Sequence, residues 1–172
     1  MAKFVAGDKW LALHEDDNGY YFVQSDDEAL IVPLTAGDEV IFTVEYSSAL
    51  EQDVLLLPGG QIEPGEPGFA AGNRELQEEI GYRAGRLDFL AELHPWSKYL
   101  AARSFIYLAR DLTPNWLEGD EDYEIHVEKV PLREFERLIA AGRLHDARVI
   151  AALYLAHRFL QGERQKRRSA DR

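Results

Sequence analysis

Three glutamates, Glu75, Glu78 and Glu79, are spaced so that a helix would carry them on one side. At about 100° of rotation per residue, they fall within an arc of about 100°. Carboxylates this close repel one another, and a hard divalent cation such as Mg²⁺ or Mn²⁺ would offset the repulsion because it prefers oxygen ligands. A solvated helix face is the alternative, and the helix alone leaves both interpretations open.

The segment before these glutamates is rich in glycine and proline. Residues 61–68 hold two prolines and two glycines, which no regular element tolerates, so the sequence predicts a shaped loop. The loop carries a further carboxylate, Glu66, and Arg74 stands four residues before Glu78, where it can orient that carboxylate. A merely solvated helix would not require such a loop, so the sequence favours the metal-binding interpretation.

The elements around this loop form a strand, loop and helix unit. Residues 54–57 are an apolar strand candidate that ends at Pro58-Gly59-Gly60. The helix is predicted over 67–80, because proline suits a first turn and Gly81 stands where a C-terminal cap belongs. This unit would place the glutamates directly after the loop.

The remaining elements predict an α+β fold. Further strands are expected at 9–14, 20–24, 29–34, 39–46, 87–93, 103–109 and 125–130, and further helices at 132–141 and 146–160 with Asp146 as an N-cap. Because most strands precede the helices, we expect helices packed over a mixed sheet. We divide the chain into an N-terminal β-meander (1–46), a main domain (47–160) and a disordered basic tail (161–172).

Composition limits the classes of function that remain. The 172 residues carry a net charge of −12, with 46% hydrophobic residues and no cysteine. Such a chain can fill one core, offers no disulfide or thiolate chemistry, and lacks the basic face that nucleic-acid binding needs. No apolar run approaches the roughly 18 residues of a membrane helix, and the first residues do not resemble a signal peptide. We therefore expect a soluble, cytoplasmic protein without nucleic-acid or membrane partners.

Residues 60–82 resemble the Nudix box, G-x5-E-x7-R-E-U-x-E-E-x-G-U, where U is a bulky apolar residue. Every fixed position matches: Gly60, Glu66, Arg74, Glu75, Leu76, Glu78, Glu79 and Gly81. Tyr82 stands where an aliphatic residue is commoner. The resemblance implies a Nudix-like α/β/α sandwich and a hydrolase that cleaves a nucleoside diphosphate linked to another group.

The same resemblance implies roles for the box residues. Metal ligands would be Glu75, Glu78, Glu79 and a backbone carbonyl of Gly59 or Gly60, with Mg²⁺ or Mn²⁺ as the cofactor. Glu75, Glu79 and Arg74 would belong to the catalytic machinery. In that chemistry, water attacks phosphorus in line, and positioning and electrostatics supply most of the acceleration.

Outside the box, the chain is similar to ADP-ribose pyrophosphatases and NudE-type ADP compounds hydrolases. Similar stretches include 87–90, 109–114, 117–121 and 146–153. This similarity implies hydrolysis of ADP-ribose, NADH or diadenosine polyphosphates to AMP and a phosphorylated partner, by a homodimer formed through the N-terminal hairpins. In these relatives an acidic loop supplies a catalytic base or metal ligand, for which Glu121 is our first candidate and Glu118 the second. A solvated acidic turn is the alternative.

Substrate contacts are less well defined. Similar hydrolases often have an arginine where this chain has Glu45, beside Tyr46, which leaves Arg103, Lys98 and Arg110 as candidate phosphate contacts. Tyr46 belongs to a group of aromatics that could stack on a base, although core packing is the commoner role; the others are Trp10, Tyr20, Tyr21 and Phe22. Two alternatives stay open: a nucleotide-sugar hydrolase acting on GDP-mannose or UDP-glucose, and a non-catalytic Nudix module, which would be expected to have lost box carboxylates.

Overall fold

The computed structural model describes residues 2–119 and 125–170. The strands are β1 (Lys3–Gly7), β2 (Ala12–Glu15), β3 (Tyr21–Gln24), β4 (Glu28–Pro33), β5 (Glu39–Ser47), β6 (Gln52–Leu56), β7 (Gly59–Gln61), β8 (Tyr82–Leu93), β9 (Leu100–Ala101), β10 (Ser104–Pro114) and β11 (His126–Pro131). The helices are α1 (Gly68–Glu79), α2 (Phe135–Ala140), which follows a 3₁₀ turn over Leu132–Glu134, and α3 (Ala147–Ala170).

Two sheets form the centre of the molecule. The first has the order β7-β4-β10-β8, in which β4 and β10 run parallel and the outer pairs run antiparallel. The second is antiparallel, with the order β11-β5-β6. The mixed sheet predicted from the order of elements is therefore present.

Alternate residues of the central strands face two different helices. Leu30 and Val32 of β4 lie in the core that contains Leu153 of α3. Ala29 and Ile31, which alternate with them along the strand, lie in the core that contains Leu76 of α1. Successive side chains of a strand point to opposite faces, so the sheet is buried on both sides between helices. This layering is the α/β/α sandwich that the sequence predicted.

The N-terminal hairpins form a separate sheet with the order β1-β2-β3-β9. We predicted that the meander would extend to residue 46, but β4 and β5 pair with β10 and β11 of the central sheets instead. Both strands read as half-buried hairpin strands in sequence, whereas their apolar side chains complete the two cores. Hydrogen bonding thus divides the chain before β4 rather than at residue 46.

The basic tail is helical rather than disordered up to the last described residue. Helix α3 begins after Asp146, whose carboxylate accepts the N–H groups of Arg148 and Val149, as an N-cap should. Its C-terminal half is held to the body by ion pairs of Glu163 with Arg110 at 2.7 Å and of Arg164 with Asp38 at 2.9 Å. The prediction of a disordered tail over 161–172 is therefore wrong as far as residue 170, and residues 171–172 lie outside the described residues.

Within residues 2–119 and 125–170, none of the helices combines the length and apolar character required to cross a membrane.

Candidate active site

Helix α1 and the loop before it are shaped by backbone chemistry at both ends. Pro67 is extended, with φ −68° and ψ 138°, and α1 starts at the next residue, because proline suits this position. At the other end, Gly81 adopts φ +70°, the left-handed conformation that terminates a helix, directly after the C-cap residue Ile80. Leu76 packs into the core, which leaves the glutamates to face the loop.

Arg74 is the centre of the carboxylate cluster. Its Nε and Nη2 donate to the two oxygens of Glu66 at 3.2 and 3.1 Å, in a fork. Its Nη1 donates to Glu75 at 2.7 Å and to Glu78 at 3.1 Å, and Nη2 also donates to the carbonyl oxygen of Gln61 at 2.9 Å. One guanidinium therefore ties β7, the loop and α1 together.

The charges of this cluster stabilise one another. The hydrogen bonds that Arg74 donates to Glu66 and the charge of Glu75 raise the pKa of Arg74 above its ordinary value, although burial opposes the charge. In turn, the Arg74 hydrogen bonds lower the pKa of Glu66, and the backbone N–H of Glu63 lowers it further. The fork between the loop and the helix is therefore ionised on both sides across the ordinary pH range.

The two glycines of β7 let this strand approach α1 and β4 closely. A Cβ on Gly60 would stand 2.4 Å from Oε1 of Glu75, and a Cβ on Gly59 would stand 2.4 Å from the carbonyl oxygen of Ala29. The N–H of Gly59 donates to Glu79 at 3.2 Å. Glu75 and Glu79 are each only 8% exposed, so β7 packs directly against the charged side of α1.

The donor set suits a hard divalent cation, since Glu75, Glu78 and Glu79 supply only oxygen atoms and lie against bare backbone. In the described part of the chain, however, no three acidic or histidine side chains converge in a ready metal-binding arrangement. Nη1 of Arg74 lies 2.7 Å from Glu75 and 3.1 Å from Glu78. A cation at this helix would compete with the guanidinium for the same oxygens.

Arg103, a predicted substrate contact, lies near the box loop. Its guanidinium donates to Asp27, with Nη2 at 2.6 Å, and sits 5.1 Å from the ring centroid of Phe105. Both residues line a cavity of about 410 Å³ whose other wall is the loop over 62–66, together with Tyr107. Arg103 is thus within a pocket bordering Glu66, with Asp27 as its partner.

The other predicted substrate contacts lie apart from this pocket. Glu45 accepts the hydroxyl of Thr43 at 2.6 Å, and with Tyr46 it lines a different cavity of about 460 Å³ that Arg148 also borders. Lys98 lies over the ring of Tyr99, with 5.1 Å from Nζ to the centroid.

Arg110 and most of the aromatics occupy positions that the sequence did not indicate. Arg110 pairs with Asp88 and with Glu163 of α3, on the other side of the sheet from the box loop. Core packing is also wrong for four of the five aromatics, which are exposed: Trp10, Tyr20, Tyr21 and Tyr46.

The acidic loop is only partly described. Strand β10 continues to Pro114, so the segment that carries Glu118 starts only after it, and Asp111 has φ +54° within the strand. Glu118 is exposed, and Glu121, our first candidate for the base, lies outside the described residues. Trp116 contacts Gly81, a contact for which the sequence holds no signal.

Comparison with known proteins decides the family. The model of the NUDIX domain matches residues 25–153, three quarters of the chain. The chain belongs to the Nudix family. It is 35% identical over 136 residues to the ADP compounds hydrolase NudE of Escherichia coli, an alignment that covers 79% of this chain and 73% of that protein.

Two further relatives of this Nudix protein extend the comparison. The ADP-ribose pyrophosphatase of Bacillus subtilis is 26% identical over 72% of this chain and 68% of its own length. A crystal structure of an ADP compounds hydrolase superposes with a TM-score of 0.80 and 31% identity, covering 95% of this chain and 93% of that chain. The predictions of an α+β Nudix fold and of a Nudix pyrophosphohydrolase are therefore confirmed. Hydrolases of this family generally use a divalent metal ion.

Proposed function

We propose that this Nudix protein hydrolyses the pyrophosphate bond of ADP-ribose or related ADP compounds, such as NADH and diadenosine polyphosphates. Water adds to one phosphorus as the bridging P–O bond breaks, which yields AMP and a phosphorylated partner. The observation that carries the proposal is the complete box, folded as a carboxylate cluster around Arg74 against the glycines of β7. The names of the relatives, ADP compounds hydrolase and ADP-ribose pyrophosphatase, support the substrate class.

The box residues divide into ligands and a positioning group. Glu75, Glu78, Glu79 and the carbonyl of Gly59 would hold Mg²⁺ or Mn²⁺, and Arg74 would fix the directions of Glu75 and Glu78. An ion held by these residues would lower the pKa of the attacking water and neutralise charge on the pyrophosphate. Glu79, which accepts the N–H of Gly59, has one oxygen oriented by the backbone. Such an arrangement would let an acidic protein bind a pyrophosphate.

A general base is proposed from the acidic segment that follows β10. Glu121 is the first candidate and Glu118 the second, since each offers a carboxylate that a water molecule could protonate. For the substrate, Arg103 is the best-supported phosphate contact because it lies in the pocket that borders the box loop. Lys98, Glu45 and Tyr46 stand as further substrate-binding residues, with Tyr46 offering an exposed ring for a base.

A homodimer in the cytoplasm is the proposed form of the protein. Large apolar side chains are concentrated on the sheet β1-β2-β3-β9 and its turns, and all of β1 is exposed. The residues concerned are Phe4, Val5, Trp10, Leu11, Tyr20, Tyr21, Trp96 and Tyr99. A single chain leaves this surface in water, and a second copy would bury it.

A hydrolysis screen tests the proposed function. Metal-stripped protein is given ADP-ribose, NADH, diadenosine polyphosphates, GDP-mannose and UDP-glucose, each with Mg²⁺ and with Mn²⁺, and the released nucleoside monophosphates are separated by chromatography. We expect AMP from the ADP compounds at the highest kcat/KM. Faster release of GMP or UMP would replace the proposal with a nucleotide-sugar hydrolase. Binding of a nucleotide without turnover of any compound would identify a non-catalytic module.

A further inference from the structure

The segment after β10 is attached to the C-terminal end of the carboxylate helix. The N–H of Asn115 donates to the carbonyl of Gly81 at 2.9 Å, and the N–H of Leu117 donates to the carbonyl of Gln77 at 3.2 Å. Gln77 lies in the last turn of α1, where a helix leaves its last acceptors without internal partners, and Gly81 directly follows the C-cap residue Ile80. The two bonds therefore fix residues 115–117 against the turn that carries Glu78 and Glu79.

A side-chain contact lies between these two hydrogen bonds. The ring of Trp116 covers Gly81 so closely that a Cβ there would stand 2.5 Å from its Cε3 atom and 3.1 Å from Cζ3. Only glycine leaves that space, and it also adopts the φ of +70° at no steric cost. Gly81 thus has two roles: it terminates the helix, and the indole of Trp116 packs against it.

Trp116 contributes little to the core, because its side chain is 67% exposed and belongs to neither buried cluster. Its ring instead packs on Gly81, between the backbone hydrogen bonds of Asn115 and Leu117 to the end of α1. Glu118 follows two residues later, at the start of the acidic segment. A misplaced catalytic group costs up to about a hundredfold in rate when the displacement is near 1 Å, so a fixed position for Glu118 matters for chemistry.

We propose that Trp116, seated on Gly81, is a positioning residue that holds the described residues up to Glu118 at the C-terminal end of the carboxylate helix. The inference rests on the proposed function, because it concerns the delivery of the general base to that site. The contact with Trp116 gives Gly81, the last glycine of the box, a second role in this chain besides helix termination. The partner of that glycine is an indole 35 residues further along the chain.

Gly142 provides a matched control. Gly81→Ala and Gly142→Ala place alanine at nearly the same backbone conformation, φ +70° and +66°, so both carry the same strain. A Cβ at Gly142 meets nothing within 4 Å, whereas a Cβ at Gly81 collides with Trp116. Any difference between the two variants therefore reports the indole contact. Trp116→Ala and Trp116→Phe complete the set, since phenylalanine retains an aromatic ring.

Amide hydrogen exchange of the full-length protein tests the contact without reference to activity. We expect exchange at Asn115 and Leu117 to be at least about tenfold faster in Gly81→Ala and Trp116→Ala than in wild type. Gly142→Ala should leave both amides unchanged. Equal exchange rates at Asn115 and Leu117 in wild type, Gly81→Ala, Trp116→Ala and Gly142→Ala would overturn the proposed contact. This result does not depend on which compound the enzyme hydrolyses.

Kinetics then test what the contact does. With ADP-ribose and Mg²⁺, we expect kcat to fall about tenfold to a hundredfold in Trp116→Ala and Gly81→Ala, with KM and Mn²⁺ affinity within about twofold of wild type. Trp116→Phe should keep most of the wild-type kcat. The double variant with Gly81→Ala and Trp116→Ala should be no slower than either single variant. Faster exchange with unchanged kcat would overturn the positioning role. Wild-type protein inactive on every ADP compound would instead refute the proposed function, while the exchange result would still decide the contact.

Discussion

Arg74 and Glu66 form a two-pronged ion pair across eight residues of sequence, with Nε and Nη2 at 3.2 and 3.1 Å from the two carboxylate oxygens. The pair closes the loop between β7 and α1, and the same guanidinium reaches Glu75 and Glu78. The loop and the carboxylate helix are therefore one unit, whose geometry depends on the planar fork of a single side chain.

Arg74→Lys should weaken this unit, because an ammonium on a flexible stem cannot reproduce the fork and the contact to Gln61 together. With an allowance for the 26% exposure of Arg74, we expect a loss of about 1 to 2 kcal/mol in the free energy of unfolding. Urea denaturation in the presence of chelator measures it. Arg143→Lys is the control. The Arg143 side chain, which pairs with Glu128, is 53% exposed, so its replacement should change stability little. An equal loss in both variants would contradict the role of Arg74.

Gly60→Ala should displace Glu75, because the new Cβ would stand 2.4 Å from its Oε1. We expect kcat to fall by about a hundredfold and Mn²⁺ binding to weaken, with the fold retained by circular dichroism. Gly37→Ala is the control, since a Cβ there makes ordinary contacts of 3.6 Å and beyond. Unchanged kcat and Mn²⁺ affinity in Gly60→Ala would show that Glu75 does not need its present position.

Acid stability should depend on Asp146 at the start of α3. Burial disfavours its charge, but the hydrogen bonds and the charge of Arg148 prevail and lower the pKa of Asp146 below its ordinary value. A group with a lowered folded pKa stabilises the protein above its unfolded pKa, about 4, and loses that contribution as the pH falls through the folded value. Asp146→Asn keeps an oxygen for the cap but removes the charge.

We therefore expect Asp146→Asn to be less stable than wild type by about 1 kcal/mol at pH 7, with the difference shrinking as the pH falls from about 4 through the lowered folded pKa of Asp146. Urea unfolding between pH 2.5 and 7 measures both curves. Asp38→Asn is the control, because the Asp38 carboxylate pairs with Arg164 at 64% exposure and should change stability little at any pH. A difference for Asp146→Asn that persisted unchanged to pH 2.5 would contradict the assignment.

Leu11→Asp should convert the proposed dimer to a monomer, because it places a charge on the exposed apolar surface of the N-terminal sheet. Light scattering should give twice the mass of one chain for wild type and the mass of one chain for the variant. Leu50→Asp is the matched control, since Leu50 is 54% exposed and Leu11 is 56% exposed, but Leu50 lies outside this sheet. A monomeric wild-type protein would refute the dimer.

Local patterns in the sequence predicted the site helix well. The predicted helix over 67–80 corresponds to α1 at Gly68–Glu79, and the Asp146 cap is present, because proline, glycine and cap residues act on their immediate neighbours. The mixed sheet also followed from the order of elements. Short strands without a clear pattern, β1 and β7, were missed; β7 is built from the glycines that we took as a turn.

Long-range pairings were not predictable from one sequence. Arg103 and Arg110 were candidates for phosphate, and the structure pairs them with Asp27 and Asp88, respectively 76 and 22 residues away. The helical tail depends on Arg110 in the same way, through Glu163. No composition or periodicity rule encodes which carboxylate meets which arginine across a fold.

The most direct test of the central claim is AMP release from ADP-ribose by wild type and by Glu79→Gln, each metal-stripped and then restored with Mg²⁺. We predict no turnover in excess chelator, full turnover by wild type after restoration, and a kcat at least about a thousandfold lower for Glu79→Gln, whose glutamine still accepts the N–H of Gly59 but carries no charge. Turnover at the wild-type rate in excess chelator, or by Glu79→Gln, would contradict the claim that the carboxylates of α1 carry this chemistry through a bound divalent ion.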